Sequence, residues 1–339
     1  MLEQGLLKQI ILALTLVTVV MVAYMLMTSS HGAFSKILSI NGLLAFTLIQ
    51  LGWFASAVRL KVIVRDVMGV DMGLFDTLEA RYLGGLIAYI TPTAIGGEPA
   101  RAAYISLRVG NDLSSSYAIA LYEVFFDVVT VSLAGLFLSL LYLPHSIPVL
   151  IIALFVSTSW LGAGLLVAKT RYLSSKLQNW LDKASRGRAR RFLEAVAKVE
   201  KGFRESWHKT GTRGKIIIVS LTALNHLLYA AAPLTLIGAF SMKIIIDSVS
   251  AYFMMQTMAM LPTPGGAGAA EYGLSISLPP EVALGYRVLF YYPVILVGVI
   301  VMYRLGGELG GAGLLLQKIG EEGAGDKRED GSNSEQDND

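Results

Sequence analysis

The chain has 339 residues, of which 54 % are hydrophobic and 16 % charged, with a mean hydropathy of +0.58 and a formal net charge of +3. A soluble domain carries about 25 % charged residues, so this composition excludes a pair of soluble domains and predicts an all-α polytopic membrane protein. The absence of cysteine excludes disulfides, thiolate catalysis and cysteine-bound metals, and the scattered His31, His145, His208 and His226 build no metal site.

A bilayer core about 30 Å thick needs about 20 mostly apolar residues in a helix. Six stretches meet that length, at roughly 9–28, 41–58, 117–143, 148–168, 216–240 and 285–303. The first is longer than a secretory h-region and lacks a small-x-small site after it, so it reads as an uncleaved span. Two further apolar segments, 78–108 and 249–278, each fall into two short limbs around a Pro/Gly-rich centre. Proline removes a helix donor and glycine favours other backbone conformations. Broken backbone at membrane depth must be buried in protein or reached by water, and both segments are therefore predicted to be re-entrant helical hairpins.

The basic residues orient these elements. With the N-terminus in the cytoplasm and both hairpins returning to their own side, 23 Lys and Arg lie inside and only Lys36, Lys243 and Arg287 outside. The C-terminus then also lies in the cytoplasm, as in an integral cell-membrane protein. Span, hairpin and span occur twice with opposite orientation, a first repeat over about 41–143 and a second over about 216–303. The chain thus reads as one integral membrane domain over 1–318 with an inverted-topology repeat, followed by a disordered acidic tail over 319–339.

The two breaks are alike. Pro92 is followed by Thr93, then Gly96-Gly97-Glu98; Pro262 is followed by Thr263, then Pro264-Gly265-Gly266, with Gly268 and Glu271 shortly after. Interrupted helices in matching positions of an inverted repeat point to a transporter's midplane site. A half-helix beginning at the first break, with Pro99 at its first position, presents free N–H groups to an anion. Arg101, one turn on, adds a bidentate phosphate donor. Glu98 and Glu271 suit a cationic group, and a substrate carrying both phosphate and amine would use acids and arginine together. Glu123 and Asp127 share one face of span 117–143, where they either share a proton or pair with Arg81, Arg101 or Arg287.

Other polar residues receive plainer readings. Asn225 and His226 hydrogen-bond between helices. Arg287 snorkels to the outer head-group region, and Tyr24, Tyr142, Tyr286, Tyr291 and Tyr292 are interface anchors. The segment 169–215 carries fourteen basic and four acidic residues. Its apolar residues Leu177, Trp180, Leu181, Ala184, Phe192, Leu193, Val196, Val199 and Phe203 recur at helical spacing. It therefore reads as an amphipathic helix on the anionic cytoplasmic leaflet rather than a nucleic-acid surface.

Pro92 with Gly96-Gly97-Glu98 and Arg101, the acidic pair in the next span, and Pro264-Gly265-Gly266-Ala267-Gly268 with Glu271 together resemble the flippase-like family, the lysylphosphatidylglycerol synthase transmembrane region, over roughly 5–318. The resemblance implies translocation of a phospholipid or polyprenyl-phosphate-linked head group between leaflets. It implies substrate contacts at Pro92, Gly96, Gly97, Glu98, Arg101, Glu123, Asp127, Pro264, Gly265, Gly266, Gly268 and Glu271. Family members often have Glu-Arg where this chain has Glu123-Val124. Such proteins sometimes carry a soluble synthase or glycosyltransferase domain; none is expected here, where only the acidic tail follows Lys318. Two other classes share the pattern: a small-solute or ion transporter, and a non-transporting membrane partner of a separate synthase. No nucleophile–base pair or Walker-type loop supports an enzyme, and no cofactor is expected.

Overall fold

The computed structural model describes residues 2–91, 97–169 and 188–308, and among these the regular structure is helical with no strand. Pro92, Gly96, Leu177, Trp180, Leu181, Ala184 and the tail 319–339 lie outside the described residues. Helix α1 runs over Leu2–Thr28, α2 over Ala33–Ile37, α3 over Ile40–Met68, α4 over Leu74–Ile90, α5 over Gly97–Val109 and α6 over Leu113–Ser139. Helix α7 follows at Ile147–Lys169, α8 at Arg188–Lys209, α9 at Thr212–Ile237, α10 at Met242–Met258, α11 at Ala269–Ser275 and α12 at Pro280–Glu308. Six of them (α1, α3, α6, α7, α9 and α12) are long and apolar enough to cross a membrane, in the segments expected. The protein is an all-α polytopic membrane protein.

Local sequence sets the helix ends. Ser39 caps α3 by accepting from the Gly42 N–H at 3.2 Å, and Asp112 caps α6 by accepting from Ser115 N–H at 2.8 Å. Gly69 and Gly238, with φ of 72° and 73°, close α3 and α9 in the left-handed conformation that glycine adopts without strain. One boundary differs from expectation. Helix α3 continues to Met68 rather than stopping at 58, because Leu60, Ile63 and Val64 extend its buried stripe. Arg59 is therefore inside a span and fully buried instead of sitting in a loop.

Helices α4, α5, α10 and α11 have 17, 13, 17 and 7 residues, each short of the roughly 20 needed to cross. Within each break the two limbs lie against one another, α4 on α5 and α10 on α11. The pairings between halves also exchange. Helix α3 packs on α9, α4 packs on α12 and α10 packs on α6. Swapping the first four of these helices (α3–α6) for the second four (α9–α12) leaves that set of pairs unchanged. Helices α1 and α7 lie at the rim and bury the least of their surface.

Glycine makes the limb contacts close. A Cβ on Gly84 would lie 3.0 Å from the Gly97 carbonyl oxygen and 3.3 Å from Arg101 Nε, and one on Gly97 would lie 2.9 Å from the Gly84 carbonyl oxygen. In the other pair, a Cβ on Gly273 would lie 2.7 Å from the Met254 carbonyl oxygen. Gly84→Val is expected to push α4 from α5 and cost about 1–3 kcal/mol by overpacking. Thermal melting of the detergent-solubilised protein checks this, and a melting point equal to wild type refutes it.

Helix α8 corrects one expectation. Its apolar face does not lie on lipid: Phe203 packs edge-on to Tyr122 and Phe125 of α6, with ring centroids 5.6 and 5.8 Å apart, and Trp207 reaches the same two rings. Aromatic rings presented by α6 bury this stripe more completely than an interface would. Lys201 and Lys209 on α8 remain exposed.

Candidate functional site

The conserved geometry of a transmembrane helix places residues four apart on one face, so Glu123 and Asp127 of α6 point together into the bundle. There they meet three arginines from three helices. Arg59 of α3 grips Asp127 with both terminal nitrogens at 2.6 Å and donates from Nη2 to Glu123 at 3.0 Å. Its Nη1 also donates to the Thr222 hydroxyl of α9 at 2.9 Å. Arg81 of α4 donates to Glu123 Oε1 at 3.1 Å, and Arg101 of α5 donates to Glu123 Oε2 at 2.8 Å. Arg59 and Glu123 are both 0 % exposed, so these charges depend on one another rather than on water.

The second break is tied in the same way. Arg287 of α12 donates from Nε to Glu271 Oε1 at 2.7 Å and from Nη2 to the Gly265 carbonyl. The other Glu271 oxygen accepts the Gly268 N–H at 2.7 Å. Gly265, Gly266 and Gly268 have φ of 58°, 70° and 81°, a left-handed run open to glycine alone at low cost. A buried Arg–Glu bridge therefore joins the second limb of each break to the following span, with the charges exchanged. In the first, Arg101 is on the limb and Glu123 on the span; in the second, Glu271 is on the limb and Arg287 on the span.

Both breaks border one cavity of about 540 Å³. Its polar wall includes Arg81, Glu98, Asp127, Asn225, His226, Gln256 and Arg287, and Gly265 and Gly266 lie beside them. Aromatic rings from Trp53, Tyr89, Tyr117, Trp160, Tyr229, Tyr252 and Phe290 complete it, and Val124, Val128 and Val156 give the face between α6 and α7 an apolar character. The Arg81 guanidinium carbon sits 5.6 Å from the Trp53 ring centre, in cation–π contact.

The predicted residues divide into two sets. Glu98, Asp127, Gly265 and Gly266 are on the cavity wall; Arg101, Glu123 and Glu271 are buried behind it in ion pairs, and Gly97 packs on α4. Pro264 and Gly268 shape the second break without lining the cavity. Helix α5 begins at Gly97, so Pro99 is its third residue rather than its first. That position is still in the first turn, where no intrahelical acceptor awaits its nitrogen.

Three further readings are corrected. Arg287 does not snorkel outward, because Glu271 and the Gly265 carbonyl hold it at 2 % exposure. Tyr286 and Tyr291 are fully buried in the core rather than at an interface, and Tyr286 donates to the Tyr229 carbonyl at 3.2 Å. His226 faces the cavity, with Nδ1 2.6 Å from the Tyr252 hydroxyl and Nε2 3.2 Å from Asp127 Oδ1. The residue missed altogether is Arg59, whose signal was the uninterrupted apolar run on either side of it.

Among the described residues, no group of three His, Asp or Glu side chains is placed to hold a metal ion. Comparison with curated proteins and with solved structures gives no match. A family model described as the lysylphosphatidylglycerol synthase TM region matches residues 10–298. Spanning all six long helices and both breaks, that match shows that the chain belongs to the lysylphosphatidylglycerol synthase transmembrane region family.

Proposed function

We propose that the protein is a lipid flippase-type transporter that moves a phospholipid or polyprenyl-phosphate-linked head group between leaflets. The observation that carries this reading is the single cavity bordered by both breaks, polar on one wall and apolar on the other. The head group occupies the polar side, where Arg81 and Arg287 offer donors from the two repeats and Glu98 and Asp127 offer acceptors. The acyl or prenyl chains leave along Val124, Val128 and Val156, between α6 and α7. The short limb pairs act as re-entrant hairpins of an inverted repeat, and the basic residues place both termini in the cytoplasm. Lys201 and Lys209 then face the anionic leaflet, contributing about 1 kcal/mol each near that surface.

The ion pairs behind the wall give it a fixed shape. Arg101 and Glu123 act as positioning residues, since their atoms are occupied by each other and by Arg59 and Arg81. Preorganised charges of this kind cost little to arrange when a ligand arrives.

Reconstituted into liposomes, the protein is expected to expose fluorescent-tailed lipids to an outer-leaflet quencher faster than empty liposomes do. Val128→Trp fills the apolar wall without touching an ion pair, and is expected to slow this at least about tenfold with little change in melting temperature. Failure to move any phospholipid or polyprenyl phosphate would overturn the lipid reading, and uptake of a soluble solute instead would favour a solute transporter. A Val128→Trp variant as fast as wild type would remove the cavity from the path.

A further inference from the structure

Eight ionised side chains lie in the interior, away from the helix ends: Arg59, Arg81, Arg101 and Arg287 against Glu98, Glu123, Asp127 and Glu271. The count is four against four. Arg59, Arg81 and Arg101 share Glu123 and Asp127, which leaves this cluster one positive charge in excess. Arg287 and Glu271 cancel. Glu98 on the cavity wall forms no ion pair within 4 Å with a described residue, and its nearest cation electrostatically is Arg101. Glu98 therefore balances the cluster from across the cavity, and with the His226 imidazole uncharged the empty interior is neutral.

Resting on the flippase reading, we propose that the cavity selects a head group of zero net charge that carries both an anionic and a cationic group, a phosphodiester with one ammonium. An uncompensated charge in a low-dielectric interior is strongly unfavourable. A net anion or cation adds one, whereas a zwitterion adds none. The two poles also have separate places. The anionic group meets the guanidinium groups of Arg81 and Arg287, and the ammonium meets Glu98 and the rings of Tyr117 and Trp160, which accept a cation over their faces. Two buried wall atoms lack partners, the Trp53 Nε1 donor and the Asn225 Oδ1 acceptor. They ask for an acceptor and a donor on the same ligand.

The test compares lipids that share one fluorescent acyl chain and differ only in head group, phosphatidylethanolamine against phosphatidylglycerol. The full-length protein is reconstituted in liposomes at pH 8, where an ordinary imidazole is uncharged. Wild type is expected to move phosphatidylethanolamine at least about tenfold faster, tenfold being the effect of 1.4 kcal/mol. Glu98→Gln, which removes one negative charge with little change of shape, is expected to lower that ratio about tenfold, and Glu98→Asp to keep it. Val124→Lys, which adds a positive charge elsewhere on the wall, shifts the ratio in the same direction and serves if Glu98→Gln does not fold. Equal or faster movement of phosphatidylglycerol by wild type overturns the proposal, as does an unchanged ratio in both charge variants. If neither lipid moves, the transport reading fails separately. Thermal stabilisation by short-chain forms of the two lipids then decides the selectivity: stronger stabilisation by phosphatidylethanolamine supports it, and equal or weaker stabilisation refutes it.

Discussion

Glu123→Ala is expected to be among the most damaging single substitutions in the protein, costing about 3–5 kcal/mol or preventing folding. That is the penalty for removing one partner from a buried ion pair, and here one carboxylate serves Arg59, Arg81 and Arg101 together. Asp127 is too committed to Arg59 to replace it, since Arg59 already grips both of its oxygens. Arg101→Ala should be milder, because Glu123 keeps two other arginines. Size-exclusion profiles after heating rank the two variants: Glu123→Ala should aggregate well below wild type and Arg101→Ala closer to it. The double variant Glu123→Gln/Arg101→Ala removes one charge of each sign and should recover part of the loss. Equal melting of Glu123→Ala and wild type would show that the cluster contributes little.

Arg287→Met is expected to abolish transport and to destabilise the second break. Methionine keeps most of the chain's length and apolar contact, so the loss isolates the guanidinium. Without it Glu271 is left as a buried carboxylate with only the Gly268 N–H, and the Gly265 carbonyl loses its donor. Gly265 and Gly266 border the cavity, so a loosened break also blurs the wall. Adding Glu271→Gln removes the orphaned charge and should restore melting temperature, while the tether to Gly265 stays broken. Transport in proteoliposomes should therefore remain at least about tenfold low in the double variant. Recovery of both stability and transport would mean that charge balance, and not the tether, was the role of Arg287.

The spans and the two breaks were legible in the sequence because length, apolar runs and Pro/Gly punctuation report them directly. The site was legible only in part. Residues flanking the breaks, such as Glu98 and Gly265, were identifiable because charge and glycine are conspicuous in apolar sequence. Arg59 was not, because an arginine at the cytoplasmic end of a span has the same appearance whether it ends the helix or is buried a turn inside it. Arg287 and the buried tyrosines failed for the same reason. Position along the chain fixes depth in the bilayer, whereas packing partners decide whether a polar tip meets lipid, water or another helix. The aromatic wall of Trp53, Tyr89, Tyr117 and Trp160 comes from four helices, and no spacing along the chain links them.

The ion cluster also constrains biogenesis. Arg59 precedes its partners Glu123 and Asp127 by 64 and 68 residues, so α3 emerges from the ribosome well before α6. A lone arginine in a span costs about 2.5–3.5 kcal/mol on insertion scales, and α6 arrives with two acids that carry a similar penalty. Neither helix is at its most stable alone in lipid. Helices α3 to α6 therefore gain most by entering the bilayer as one group, with the arginines already bound when the apolar faces first meet the acyl chains.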